Sequence, residues 1–73
     1  MTAQEKLSKL LSVLADGKTV YISTALRCTK VTEKDVAKFE EIGRPLFKVS
    51  GNSLFMSFGK RYDCIDYCKV TAQ

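Results

Sequence analysis

The sequence predicts an α+β fold, in which two helices pack on a small, mainly antiparallel, three- to four-stranded sheet that includes a β-hairpin. Two stretches have apolar residues at helical spacing, and each follows a threonine suited to cap a helix. Later stretches are rich in β-branched and aromatic residues and flank a Gly-Asn pair. The 73 residues, of which 45% are hydrophobic and 27% charged, fit a single globular domain spanning residues 1–73.

The first helix is predicted from its cap and its leucines. Thr2 and Glu5 have the spacing of a capping box, in which each side chain binds the other residue's backbone N–H. One apolar stripe then follows at helical spacing, formed by Leu7, Leu10, Leu11 and Leu14. Asp16-Gly17 should end this helix, because glycine accepts the left-handed backbone conformation at a helix C-terminus.

A strand is predicted next, at residues 19–23, where Val20 and Ile22 would share one face and Tyr21 would lie on the other. Residues 24–31 are ambiguous and fit either a loop or a short helical turn.

Thr32 should cap a second helix, with Glu33 and Asp35 in a first turn that favours negative charge. Gly43 and Pro45 should end it. Its buried stripe should consist of Val36, Phe39 and Ile42.

A β-hairpin is predicted where residues 46–50 and 53–58 flank Gly51-Asn52, which fits a type II′ turn. That turn pairs Phe47 with Met56 and Val49 with Leu54. One face then carries Phe47, Val49, Leu54, Met56 and Phe58; the other carries Leu46, Lys48, Phe55 and Ser57. Residues 62–70 alternate in polarity and predict a third antiparallel strand, with a short helix as the alternative.

The chain lacks the residues that several kinds of catalysis require. The chain has no histidine and no glycine-rich phosphate loop, so Ser–His and Cys–His pairs are excluded. The odd cysteine count argues against a disulfide framework. Zinc usually takes four ligands, so Cys64-x-x-x-Cys68 and Cys28 could hold it only if an aspartate such as Asp63 or Asp66 completed the site, or if a dimer shared one. A redox pair normally has two intervening residues. We expect reduced cysteines, no cofactor, no metal and no enzymatic activity.

The N-terminus begins polar and the longest apolar run has three residues, so we expect a cytoplasmic protein that contacts no membrane. We also expect no small-molecule ligand.

Positive charge concentrates in particular segments of this chain, whose net charge is +4. Residues 17–31 and 43–61 contain only basic charged residues, whereas the second helix has an excess of acidic ones. One hairpin face therefore combines apolar and basic residues in the pattern of a protein-binding surface. The candidate partner-binding residues are Arg44, Leu46, Lys48, Phe55, Lys60 and Arg61.

Three other interpretations of that face stay open. In the first, the charge serves only solubility. In the second, Tyr62, Ile65 and Tyr67 fold over the face and bury it. In the third, a sheet edge accepts an extended peptide. The element order also fits a winged-helix-like DNA-binding protein, although the second helix is acidic and lacks a row of base-reading side chains. Weak contact between the hairpin and nucleic acid is compatible with its charge.

The whole length of the chain, with runs such as Tyr21-Ile-Ser-Thr-Ala-Leu-Arg27 and Lys48-Val-Ser-Gly-Asn-Ser-Leu-Phe55, resembles the small transcription regulators of lytic Xanthomonas phages. The resemblance implies a viral protein that binds the large subunits of host RNA polymerase in the bacterial cytoplasm. It would displace the sigma factor, inhibit host initiation and act as an antiterminator. No short motif of that family aligns position by position, so the resemblance assigns no functional residue.

Overall fold

The computed structural model describes residues 2–73, which form two helices and six strands. Their order is α1 (Ala3–Ala15), β1 (Val20–Ser23), β2 (Cys28–Val31), α2 (Glu33–Glu41), β3 (Phe47–Ser50), β4 (Ser53–Phe58), β5 (Arg61–Cys64) and β6 (Lys69–Ala72). The strands form two antiparallel sheets, ordered β2-β1-β6 and β3-β4-β5. The α+β class is confirmed, but the strands are divided between two three-stranded sheets instead of one.

Helix α1 has the predicted cap and lies against both sheets. The Glu5 N–H donates to Thr2 Oγ1 (3.1 Å) and the Thr2 N–H donates to Glu5 Oε1 (3.2 Å), which completes the capping box. The helix contacts β1 of the first sheet and β3 and β4 of the second. Leu10 and Leu14 are buried in these contacts, whereas Leu11 is 41% exposed at the edge of the stripe.

Residues 24–31 form a turn followed by strand β2, so the interpretation as a loop or helical turn is wrong for residues 28–31. The Thr24 hydroxyl closes the turn by accepting the N–H groups of Leu26 and Arg27, each at 3.2 Å. Strand β2 pairs along β1, where Val31 lies opposite Val20 and is buried. Pairing with β1, and not the local pattern, makes this segment a strand.

Helix α2 forms as predicted, but its packing is shallower. None of its residues is buried, and only Val36 and Phe39 pack half-buried against the core. Ile42 is 65% exposed, so the prediction that it lies in the buried stripe is wrong. The Gly43 N–H donates to Glu40 O (3.1 Å) and the Arg44 N–H to Phe39 O (3.0 Å), a Schellman motif that ends the helix before Ile42 can pack.

The β3–β4 hairpin has the predicted register, with Phe47 opposite Met56 and Val49 opposite Leu54. Gly51 has a φ of +60°. Across residues 2–73 every positive φ belongs to a glycine, so the φ of Asn52 is negative. These signs match a type II′ turn and exclude type I′, which needs a positive φ at both central positions.

We expect Gly51→Ala to lower the free energy of unfolding by about 1–2 kcal/mol, because the turn holds this backbone at a φ that disfavours any L side chain. No atom lies within 4 Å of a Cβ built at this position, so the cost is conformational and not steric crowding. Urea denaturation measures it. Asn52→Ala in the same turn is the control, with an expected change below about 0.5 kcal/mol; an equal loss in both would contradict the assignment.

The predicted single strand over 62–70 is wrong: β5 and β6 are separate strands that belong to different sheets. Ile65 is buried, and its carbonyl accepts the Cys68 N–H (3.1 Å) in the turn between them. Strand β6 then pairs with β1, with Val70 opposite Ile22. This last segment therefore joins the two sheets.

The core lies where α1 meets both sheets. Its buried apolar residues are Ala3, Leu10, Leu14, Val20, Ile22, Val31, Leu46, Phe47, Leu54, Met56 and Ile65. Of the helices described within residues 2–73, none has the length and apolarity to cross a membrane.

Candidate protein-binding surface

The candidate surface is the outer face of the β3-β4-β5 sheet. The pairing register sets Lys48, Phe55 and Cys64 side by side across the three strands, and Ser57 next to Tyr62. On the opposite face, Phe47, Leu54 and Met56 are buried in the core. The outer face is therefore the side on which the sheet can meet another molecule.

Two cations lie against one aromatic ring on this face. The Lys48 ammonium is 4.7 Å and the Arg44 guanidinium 5.5 Å from the centroid of the Tyr62 ring, both within cation–π range. We call Arg44, Lys48 and Tyr62 the Tyr62 cluster. Arg44 also donates to Ser57 Oγ (3.4 Å), which limits its freedom. The cluster thus holds two positive charges in a defined arrangement.

The Tyr62 side chain reaches from β5 across β4 to the start of β3. Its hydroxyl donates to the Pro45 carbonyl (2.6 Å), while Ser57 on the intervening strand is only 3% exposed. The Ser57 N–H donates to the Leu46 carbonyl (2.8 Å), which aligns Leu46 with Ser57 and Tyr62 across the sheet. This end of the outer face is consequently covered.

Leu46 is 4% exposed, so the prediction that it lies on an exposed face is wrong. Its side chain belongs to the core. The alternative in which Tyr62, Ile65 and Tyr67 cover the face is right only for Tyr62, because Ile65 is buried in the core and Tyr67 is 95% exposed. The accessible part of this face consists of the half-buried Phe55 and the Tyr62 cluster, in which Lys48 is exposed.

Arg61 does not join this surface. It pairs with Phe58, which places it on the opposite side of the sheet, and there it forms an exposed ion pair with Asp63 (3.2 Å). Exposed pairs of this kind contribute little to stability. Lys60 lies exposed in the turn between β4 and β5. The structure thus brings together Arg44, Lys48 and Phe55 from the predicted set, and separates Arg61 from them.

A second basic site was missed from the sequence. The Arg27 guanidinium lies 5.0 Å from the centroid of the Phe58 ring, beside an open groove that Thr29 and the ion-paired Arg61 and Asp63 also line. Arg27 follows β1 and Phe58 ends β4, so no local spacing relates them. The acid-free stretch of residues 17–31 was the one available signal, and it does not specify this contact.

Asp66 stabilises the turn between β5 and β6, which connects the two sheets. Its Oδ1 accepts the Leu54 N–H (3.2 Å) and lies 3.8 Å from Lys6 Nζ on α1. The Leu54 hydrogen bond is the main reason that the pKa of this carboxyl is lowered; Ser53, Lys6 and Cys64 act in the same direction, and partial desolvation opposes them.

We expect Asp66→Asn to flatten the acid limb of the stability profile. Because the folded-state pKa of Asp66 is lowered, its contribution to stability is present above the unfolded-state pKa of about 3.9 and is lost as the pH falls through the folded-state value. Urea denaturation between about pH 2 and pH 7, a range that spans the titration of this carboxyl, measures the slope. The variant should lose less free energy of unfolding than the wild type on acidification; an identical slope would contradict the prediction.

All three cysteines are free thiols: Cys28 is exposed, and Cys64 and Cys68 are half-buried. Cys64 lies on the outer face opposite Phe55, whereas Cys68 packs against the core after the turn, so the two do not share a strand face. Within residues 2–73 no three Cys, Asp or Glu side chains are grouped closely enough to hold a metal ion.

Comparison of the chain with protein-family models, with curated proteins and with solved structures finds no match in any of the three.

Proposed function

We propose that this protein is a phage-type transcription regulator that binds the large subunits of host RNA polymerase, displaces the sigma factor and so inhibits host initiation, with antitermination as a second effect. The single observation that carries the protein-binding part is the Tyr62 cluster beside the half-buried Phe55. The choice of polymerase as the partner rests on the resemblance to the Xanthomonas phage regulators.

The Tyr62 cluster has the features of an interface hot spot. Tyrosine and arginine are enriched among the residues whose truncation costs most binding energy. Here both lie in one patch, and the Tyr62 hydroxyl and the Arg44 guanidinium are already hydrogen-bonded within the protein. Side chains that are ordered before binding lose less conformational entropy on association. The charges favour a partner segment that has acidic and apolar residues.

Displacement of sigma requires no chemical reaction. A protein that binds core polymerase more tightly than holoenzyme lowers the affinity of core for sigma by the same factor, because the two binding equilibria are linked. Such a regulator needs a binding surface and no catalytic group.

We expect Lys48→Glu to weaken binding to purified host core polymerase about tenfold or more, because it reverses a charge at the centre of the patch. Lys18→Glu is the matched control, since it changes the net charge equally at an exposed position after α1. The measurement is fluorescence-detected titration of each variant with core polymerase, followed by displacement of labelled sigma. Full affinity in Lys48→Glu would contradict the role of this face; failure of the wild type to bind polymerase would contradict the proposed function.

A winged-helix-like DNA-binding function is the second candidate, and the site formed by Arg27, Phe58 and Arg61 is the observation that favours it. The acidic surface of α2 counts against insertion of that helix into DNA. The salt dependence of binding distinguishes the two candidate functions. DNA binding should weaken steeply with added salt, whereas a protein interface with apolar contacts should weaken far less.

A further inference from the structure

We infer that the free edge of β6, with the groove beside it, is a docking site for an extended segment of a protein partner. This site lies in the first sheet, whereas the Tyr62 cluster lies on the second. The inference goes beyond the proposed function and does not depend on it, because it rests on different residues.

The hydrogen-bond pattern shows which backbone groups face outward. Thr19 and Gln73 exchange two backbone hydrogen bonds, each of 2.9 Å, so they form a hydrogen-bonded pair of the antiparallel β1–β6 ladder. Such pairs alternate with pairs that exchange no bonds, and the residues of the latter turn their N–H and C=O groups away from the partner strand. By this alternation Val70 and Ala72 direct theirs away from β1.

That side of β6 carries no other strand. Strand β6 is at the end of the β2-β1-β6 order, and within residues 2–73 it pairs with β1 alone. All four of its residues are exposed. An edge of this kind can accept a further strand.

An apolar groove runs along the same edge. It has a volume of about 440 Å³ and lies between α1, the turn after β5, and β6. Val70, Thr71 and Ala72 all line it. Val20 of β1, which lies opposite Ala72, lines it as well, so the groove extends over the inner face of the sheet beside β6. Leu10, Val13 and Cys68 form much of its apolar wall.

The shape and the charges specify the occupant. An extended segment that pairs with Val70 and Ala72 would direct alternate side chains into the groove, where apolar ones would be buried. Lys6, Lys9 and Asp66 also line the groove. Asp66 lies 3.8 Å from Lys6, whereas neither ion pair found within residues 2–73 includes Lys9, which leaves one positive charge for a ligand. The occupant is therefore a partner segment with apolar side chains at alternate positions and a carboxylate that can reach Lys9.

A second copy of this chain fits the site less well. It would bring another net charge of +4, and its own β6 offers lysine at position 69 in place of a carboxylate. Like charges brought together at an interface oppose association. The charge complementarity thus favours a partner with acidic residues.

The test uses a synthetic, blocked peptide in which valine alternates with threonine and one end carries glutamate, titrated into the ¹⁵N-labelled full chain. We expect hydrogen exchange at the Val70 and Ala72 amides to slow about tenfold or more at saturation, since these N–H groups would gain partners. The Thr71 amide, already directed at β1, should change little. A peptide with lysine in place of glutamate should bind about threefold more weakly, as befits one exposed ion pair.

Two variants make the result specific to the edge. Ala72→Pro removes one outward N–H without breaking the β1 ladder, and proline is tolerated at such edge positions, so the fold should persist while peptide binding falls about tenfold or more. Ala72→Val at the same position keeps the N–H and should bind the peptide more tightly than Ala72→Pro.

Three outcomes would overturn the inference. The first is no slowing at Val70 and Ala72 up to millimolar peptide. The second is equal peptide binding by Ala72→Pro and Ala72→Val. The third is slow exchange at these amides without peptide that depends on protein concentration, which would assign the edge to a second copy. None of these results bears on binding at the Tyr62 cluster, so a failure here is distinguishable from a failure of the proposed function.

Discussion

Replacing Leu14 with alanine is expected to lower the free energy of unfolding by about 2–5 kcal/mol, because it removes a buried side chain and leaves a cavity. Leu14 is 1% exposed and is among the largest fully buried side chains. It lies on α1, the helix that contacts both sheets, so the cavity would open where the two sheets depend on the same helix. Domains of this length are stable by about 4–11 kcal/mol, so the loss is a large share of the total.

Urea denaturation monitored by circular dichroism measures this effect. Leu11→Ala is the matched control, because it makes the same change on the same helix at a position that is 41% exposed. We expect it to cost less than about 1 kcal/mol. Equal losses at Leu11 and Leu14 would mean that α1 does not bury the face described here.

Replacing Leu46 with alanine is also expected to cost about 2–5 kcal/mol, although its position in the hairpin suggests a surface role. Leu46 is 4% exposed and belongs to the core, at the end of the sheet that Tyr62 covers. We therefore expect any loss of partner binding in Leu46→Ala to follow the fraction of unfolded protein, and not the loss of a direct contact.

Two further variants separate stability from binding at this face. Leu46→Met nearly conserves volume and should restore most of the stability and all of the binding, since such exchanges usually cost less than about 1.5 kcal/mol. Phe55→Ala, at a half-buried position on the outer face, should weaken binding while the protein stays folded. Weakened binding in a fully folded Leu46→Met variant would show that Leu46 contacts the partner after all.

The candidate surface was only partly predictable, for reasons that differ between residues. Alternation along the hairpin placed Lys48 and Phe55 on one face, and the structure agrees. The same alternation placed Leu46 there, but alternation shows which face a residue occupies and not whether another side chain covers it. Arg61 falls in the same acid-free segment, residues 43–61, as Lys48, which is why the sequence groups the two. The strand pairing instead places Arg61 opposite Phe58, on the other face.

Local sequence signals are sufficient to specify several elements of this fold. The Thr2–Glu5 capping box and the leucine spacing specify α1, and Gly51 specifies the turn and hence the register of the hairpin. Each of these depends on hydrogen bonds or backbone preferences within a few residues, so the neighbouring chain contains all the information.

The division into two sheets depends on contacts between segments that are distant in sequence. Strands β2 and β6 both form by pairing with β1, and neither segment carries a local signal strong enough to identify the strand with which it pairs. The turn at Asp66, fastened to Leu54 and Lys6, directs β6 away from β5 and onto β1. Strand pairing between distant segments depends on which surfaces the rest of the chain leaves available, and a pattern within one segment does not contain that information.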